Sequence, residues 1–499
     1  MKGKCALPAV LTAVFCFASL AFGKDYPVKV LLPGNWADPT AVKVGSDYYL
    51  TANNDDHIPS VMVFHSRDLR RWEPMGYASP REGQSLATDI VRYGDKLYIY
   101  GGGGRNVWAM VSERPYGQWS QRATVQSPEP YGIDAGHIAD EQGNRYLYSS
   151  GGLVGAISRD GLEAVSAPRH VYDGWPIPES IAIECFCLES PKLFKRGDWY
   201  YMVSAQGGTA GPTTSHMAVV ARSKNVMGPW EESPDNPLIW TENASEAWWS
   251  KGHATLIEGS GGHWYAIYHG YPNGQRTFGR CTLISPVKWT VDGWPVIAAT
   301  WPDGWEEGVE VSWPLSDEFD RPGLSMQWQS LHRLDLQRYH FRDDGLEVSA
   351  AGDEPGDSFP LTVNPKNLAY EVETELTIEG DVTAGLILFY SPQAYVSFGV
   401  SHEGRLFRHL RKFPGQSRAN RSDVLTCSQK RIKLRLRNDH QDASAYYQDT
   451  EGRWVKLERS DDISGLQHNV YGGFLSIRPG IFAAGQDTAT FTYFRYRPL

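Results

Sequence analysis

Five stretches decide the fold: Thr40–Leu50 (TAVKVGSDYYL), Asp89–Tyr100 (DIVRYGDKLYIY), His137–Tyr148 (HIADEQGNRYLY), Pro191–Met202 (PKLFKRGDWYYM) and Thr255–Tyr268 (TLIEGSGGHWYAIY). Each reads as an apolar strand, a tight turn, then an aromatic-rich strand. The turns GSD, GDK, QGN, RGD and SGG are hairpin chemistry, and the β-branched and aromatic flanks favour strands. In most copies another strand follows and ends in Ser before a loop, often with a Trp, as in VFHSRDLRRW, AMVSERPYGQW and VVARSKNVMGPW. Ser66, Ser112 and Ser158 recur every 46 residues. A repeated unit of this size cannot bury its apolar face alone and must stack on its neighbours. Five units of four short strands predict an all-β, five-bladed β-propeller over residues 24–305. A long meandering sandwich is the alternative, and five matched copies argue against it.

Composition shifts near residue 306. Sixteen of the 18 Trp lie at or before Trp313, and patterned strands follow. Arg431–Arg437 (RIKLRLR) alternates with period two, and Gly385–Tyr390 and Thr490–Arg497 are rich in strand formers. Residues 306–499 are therefore expected to form a β-sandwich. The basic stretch Arg405–Arg437 reads as the wet face of those strands. The formal net charge of −10 over 499 residues argues against a nucleic-acid partner.

Residues 1–23 read as a cleaved secretory signal peptide. Lys2 and Lys4 precede an apolar run from Ala6 to Phe22, which ends at Ala21-Phe22-Gly23. The expected location is secreted or periplasmic. No later segment is apolar for long enough to predict a membrane span. Cys185, Cys187, Cys281 and Cys427 are too few for a disulfide-built fold, and Cys185-x-Cys187 lacks a second pair at zinc-finger spacing. Buried thiols with at most one bridge are expected.

The first strand of each propeller blade lines the central channel. The residues just before the repeats therefore converge: Asp38 in NWADPT, Ala87 in LATDI, Asp134 in GIDAGH, Glu189 in LESPK and His253 in KGHAT. Three carboxylates around one axis are costly for a structural core, because like charges repel and burial favours the neutral form. Paired carboxylates suit glycosidic hydrolysis: one gives a proton to the leaving oxygen, and the other draws one from water. A third can tune the acid. Each residue also has a plainer reading, as a turn cap for Asp38 and Asp134 or a strand end for Glu189.

These motifs resemble glycoside hydrolase family 43. NWADPT with VGSDYYLT is similar to that family's first-blade motif, GIDAGHIADEQGNRYLY to its third and ESPKLFKRGDWYYMVS to its fourth. GHATLIEGSGGHWYAIYHG and GRCTLISPVKWTVDGWPVI resemble the fifth. The resemblance implies Asp38 as general base, Asp134 as pKa modulator, Glu189 as general acid, His253 as axial ligand near a calcium or water, and Arg280 as a sugar contact. Trp36 is a candidate stacking platform, with blade packing as the alternative. Calcium is expected only as a structural ion at the propeller centre, since no dedicated calcium loop is present. No organic cofactor is expected. WPLSDEFDRPGLSMQWQSL and FTYFRYRPL resemble the family's C-terminal sandwich, one of whose loops helps close the pocket. Ala384–Tyr395 is the expected closing stretch. Departures occur at SLATDIV, where an aromatic and Ala-Pro-Asp are usual, and at Ala135, where Pro is usual. Fructan hydrolases share the architecture and place their acid in Glu-Cys, which Glu184-Cys185 matches. No Arg-Asp-Pro accompanies it, however.

The implied function is an inverting exo-glycosidase that releases terminal β-D-xylose or α-L-arabinofuranose from oligosaccharide or polysaccharide substrates of plant or algal origin. A non-catalytic carbohydrate-binding propeller, or a glycosidase for a galactan- or fructan-type sugar, is the alternative.

Overall fold

The computed structural model describes residues 26–499, apart from 84, 104–105, 115–117, 128, 130, 306–309, 312, 413–419 and 427–430. The expected leader at 1–23 and Cys427 lie outside the described residues.

Five antiparallel sheets of four or five strands make the propeller. The innermost strands are Ala37–Val44, Leu86–Tyr93, Gly136–Ala139, Glu189–Arg196 and Trp248–Glu258. Each pairs with the aromatic strand that follows it, as the repeat predicts. The ring closes when Lys29–Leu32 adds antiparallel to Cys281–Trp289 of the fifth blade. The recurring Ser ends the third strand of its blade and hydrogen-bonds the turn that follows. Ser66 Oγ accepts from Leu69 N at 2.9 Å, and Ser158 Oγ accepts from Glu163 N at 3.1 Å.

The C-terminal half is a two-sheet sandwich of eight and six strands. The predicted alternation appears in Arg431–Asp439, where Ile432, Leu434 and Leu436 face the core. Beyond residue 305, Glu310–Val311 still adds in parallel to the outer strand of the first blade, Arg71–Ser79. The two halves share one apolar cluster, in which Trp36, Phe64 and Trp313 meet Leu386, Phe389 and Phe494. They also pair directly: Ser330–Leu331 joins His57–Ile58, and Asn35 and Asn364 exchange two 3.0 Å hydrogen bonds through backbone and side chain.

A backbone irregularity recurs where the blades reach the axis. Asp38, Ala87, Asp134, Ser190 and His253 all take positive φ, between 31° and 60°. In four blades the ladder register shifts at this place. A bulge with a left-handed residue turns its side chain out of the ladder direction. For residues other than glycine it costs of order 1–3 kcal/mol each, a strain that concentrates at functional sites.

Candidate active site

The pocket opens at one end of the propeller axis. It encloses about 380 Å³, within the usual range for small-ligand sites, about 300–1,000 Å³. Asp38, Asp134, Glu189, His253 and Arg280 all line it. Trp36 does not. Its ring is buried edge-on against Phe64, centroids 5.2 Å apart, and tilted against Trp313 at 5.5 Å. The stacking expectation is therefore corrected to blade packing. The register also corrects the position of Glu189. Ser190 is the fourth blade's bulge residue, whereas Glu189 opposes Ala205 as Ala37 opposes Asn53. Glu189 thus stands one residue before the place held by Asp38 and His253.

Asp38 is the most heavily held group. Its Oδ1 lies 3.0 Å from Arg280 Nη1, 3.0 Å from His269 Nδ1 and 3.3 Å from His253 Nδ1. Asn53 Nδ2 donates to its Oδ2 at 3.2 Å. Burial alone would raise this carboxyl, but Arg280, His253 and His269 outweigh it and hold Asp38 well below the ordinary carboxylate range. Asp134 behaves oppositely. Burial, then the neighbouring Glu189 charge, push it up to about 7. Ser150 Oγ donates to its Oδ2 at 3.1 Å.

His253 joins the two sides of the site. Its Nε2 lies 3.1 Å from Glu189 Oε1 while its Nδ1 faces Asp38. Burial opposes its charged form, yet Asp38, Glu189 and Asp134 together raise its pKa. It belongs to a triangle of imidazoles with His216 and His269, with centroids 5.1–5.3 Å apart. Burial pushes His269 down to about 3 and His216 well below the ordinary range, so His253 is the imidazole of the three whose charged form its neighbours favour. Gly252 makes room for this stack: a Cβ there would sit 2.1 Å from the His216 ring.

Sequence reasoning missed His216 and His269. It also missed Lys192, whose buried Nζ donates to Thr88 O at 3.1 Å and Ala135 O at 3.0 Å. Burial lowers the Lys192 pKa against the attraction of Asp89, Asp134 and Asp38. The signal for it was a basic residue inside an inner strand, directly after Ser-Pro. Asp55 and Asp56 also line the pocket and were passed over.

The pocket walls come from several places. Leu86 stands where the second blade departs from the family pattern. Cys185 and Cys187 form a disulfide on the wall, while Cys281 is free and buried. Glu184 lines the pocket too, but its Oε2 accepts from Ala210 N at 2.7 Å and Gly211 N at 2.9 Å, which ties it to a loop. The sandwich contributes Gly473 and Phe474, and the Phe474 ring lies 4.7 Å from the Arg280 guanidinium. The expected closing stretch, Ala384–Tyr395, is core instead. It forms two paired strands, and Tyr390 Oη donates to Gly472 O of this loop at 2.5 Å. The reason is its composition: a nearly continuous apolar run on two central strands is worth more buried than at a wet rim.

The donors nearest a metal site are Glu189, His216 and His253, with one ligand atom of each within 4.8 Å of the others. Two are imidazole nitrogens. Calcium takes six to eight oxygens, so this set does not fit direct calcium ligation.

Fold and site together define a five-bladed propeller joined to a β-sandwich, with a carboxylate cluster on the propeller axis. The profile of glycosyl hydrolases family 43 matches residues 28–295, and the profile of the beta xylosidase C-terminal concanavalin A-like domain matches residues 316–497. The chain belongs to glycosyl hydrolases family 43. It is 29% identical over 363 residues to a non-reducing end alpha-L-arabinofuranosidase, BoGH43B, of Bacteroides ovatus, covering 66% of this chain and 65% of that protein. It is 28% identical to a xylan 1,3-beta-xylosidase of a Vibrio species, covering 59% of this chain and 63% of that one. These alignments thus span just under two thirds of either relative. A beta-xylosidase of Bacillus subtilis aligns at 24% identity over 94% of this chain and 98% of its own length. Among solved structures, the family 43 protein BlXynB of Bacillus licheniformis superposes with a TM-score of 0.82 at 22% identity, covering 95% of this chain and all of that one, which shows the shared fold.

Proposed function

We propose that the protein is an inverting exo-glycosidase that releases terminal β-D-xylose or α-L-arabinofuranose from oligosaccharide or polysaccharide chains. One observation carries the reading: an anchored, strongly acidic carboxyl at Asp38 and a second carboxyl at Glu189 face one pocket across a single imidazole. Asp38 draws a proton from the attacking water, which its ionised state allows over a wide pH range. Glu189 delivers a proton to the departing oxygen as the glycosidic bond breaks. Asp134, raised to about 7, keeps a proton into the neutral range beside Glu189. Arg280 holds Asp38 and faces the sugar. The His253 ring plus two contacts of 3.3 and 3.1 Å separate the two carboxyls. That supports the wider spacing of inverting enzymes, about 6.5–9.5 Å, which leaves room for water. Phe474 walls the pocket, which supports admission of a chain end. The sugars follow the relatives' activities.

Secretion through the leader at 1–23, to the periplasm or beyond the cell, belongs to the same proposal. The Cys185–Cys187 bridge supports it, because disulfides persist in oxidising compartments. No helix among the described residues is long and apolar enough to cross a membrane. A calcium ion at the axis is retained only as a water-mediated possibility, and no step is routed through it. Metal analysis of protein purified without added calcium tests it, and a content well below one ion per chain rejects it.

The deciding experiment is product analysis on arabinoxylan oligosaccharides with wild type and Glu189→Ala side by side. Free xylose or arabinose from wild type, with at least a hundredfold loss in the variant, is the expected result. Variant activity within tenfold of wild type on substrates with poor leaving groups overturns the assignment of Glu189.

A further inference from the structure

Asp55 is a third buried carboxylate in the pocket, beside Asp38 and Asp134, and the chemistry above gives it no task. It follows the second strand of the first blade, Asp47–Asn53, at φ 58°. Its backbone N–H donates to Asn53 Oδ1 at 2.7 Å, and Asn35 Nδ2 donates to its Oδ2. These contacts fix its orientation. Its Oδ1 lies 3.6 Å from Arg280 Nη2, outside hydrogen-bond range, and takes no hydrogen bond among the described contacts. Arg280 Nη1 is already committed to Asp38. Gly279 allows this arrangement, since a Cβ there would meet Asn35 at 2.5 Å.

An acid here is expensive. Burial, reinforced by the Asp38 charge and only partly offset by Arg280 and Arg478, pushes Asp55 up to about 7. A neutral side chain would avoid that cost and the repulsion from Asp38. The gap between Asp55 Oδ1 and Arg280 Nη2 presents an acceptor beside a donor. A hydroxyl both donates and accepts, and so satisfies the two at once. Sugars offer such groups around the ring.

We propose that Asp55 is a specificity-determining residue, whose Oδ1 accepts a hydrogen bond from a hydroxyl of the sugar in the pocket while Arg280 donates to the same hydroxyl. This rests on the glycosidase reading for its substrate class. A site built to bond a hydroxyl discriminates strongly against sugars that lack it, because its own polar groups are then left unpaired.

The test measures kcat/KM of wild type, Asp55→Asn and Asp55→Ser on aryl β-D-xylopyranoside, α-L-arabinofuranoside, α-L-arabinopyranoside and β-D-galactopyranoside. Asparagine keeps the shape, serine relieves crowding, and thermal melts show which variant is folded. The expected result is a loss of about a hundredfold on the preferred sugar and at least a tenfold narrowing of its lead over the next. Equal loss on all four sugars overturns the proposal, since that would mark Asp55 as acting only through Arg280. Unchanged kinetics overturn it too. A second arm measures binding of xylose, arabinose and galactose calorimetrically to Glu189→Gln with and without Asp55→Asn. If wild type hydrolyses none of the glycosides but Asp55→Asn still weakens sugar binding tenfold, the activity reading fails while the Asp55 contact stands. If Asp55→Asn binds every sugar as tightly as its parent, the contact fails whatever the turnover.

Discussion

The propeller axis and the sandwich interior are both buried, yet they are built from opposite chemistry. At the axis, Asp38, Asp134, Lys192, His216, His253, His269 and Arg280 are buried side by side. Along the sandwich strand Val382–Ser391, Leu386, Ile387, Leu388 and Phe389 fill buried space on both faces with hydrocarbon. The sandwich does what a core does: it removes apolar surface from water, at about 25 cal/mol per Å². The axis does the reverse. It desolvates charges and compensates them with one another and with a few hydrogen bonds, such as those from Asn53 to Asp38 and from Ser150 to Asp134. Five residues of strained, left-handed backbone stand where the blades reach it, and the blade cores, such as that around Tyr201, Val203 and Tyr268, supply the stability that supports them. The contrast separates residues kept for folding from residues kept for chemistry.

Substitutions at the two places should therefore fail in different ways. Asp38→Asn is expected to lower kcat/KM by a thousandfold or more, measured by steady-state kinetics, and to lower the melting temperature as well, because it leaves Arg280 without its buried partner. Activity within tenfold of wild type would show that Asp38 is not the base. Leu386→Ala should spare activity instead. It should cost about 2–5 kcal/mol of unfolding free energy by denaturant titration, while the folded fraction keeps kcat within about twofold.

Asp134→Asn probes both properties at once. Its carboxyl is raised in the folded state, so the native protein binds more protons than the unfolded chain between the ordinary carboxylate range and about 7. Wild-type stability should fall as pH rises through that window and level off above it. The asparagine variant should therefore gain melting temperature over wild type at pH 8 and little at pH 5, while activity drops about a hundredfold. In wild type, kcat/KM should decline as pH rises through about 7. It should hold at acid pH below the usual carboxylate range, because Asp38 remains ionised there.

The smallest effect is expected at the pocket wall. The Cys185→Ser, Cys187→Ser double variant removes a bridge that closes a very short loop, so its entropic contribution is small. KM should rise by less than about tenfold with kcat unchanged. A loss of kcat instead would tie the bridge to the placement of Glu189.

The sequence alone determined the repeat, and with it the propeller, because each blade carries its own hairpin turns and aromatic strand at a fixed offset. It also marked Asp38, Asp134, Glu189 and His253, because inner-strand starts must converge when five units close a ring. The sandwich was legible from period-two patterning. Other features depend on which parts of different blades and halves meet, and no local pattern encodes that. Trp36 lies two residues before Asp38 but turns into the core, because the left-handed bulge at Asp38 breaks the strand's alternation. Phe474 reaches the pocket from far along the chain, and His216 joins His253 and His269 only through the stacking of the fourth blade on the fifth. Asp55 carries no motif in the sequence, and is a pocket wall only because the ring brings Arg280 beside it. Strand and turn preferences act over a few residues, whereas electrostatic neighbours are chosen by closure of the ring and docking of the sandwich.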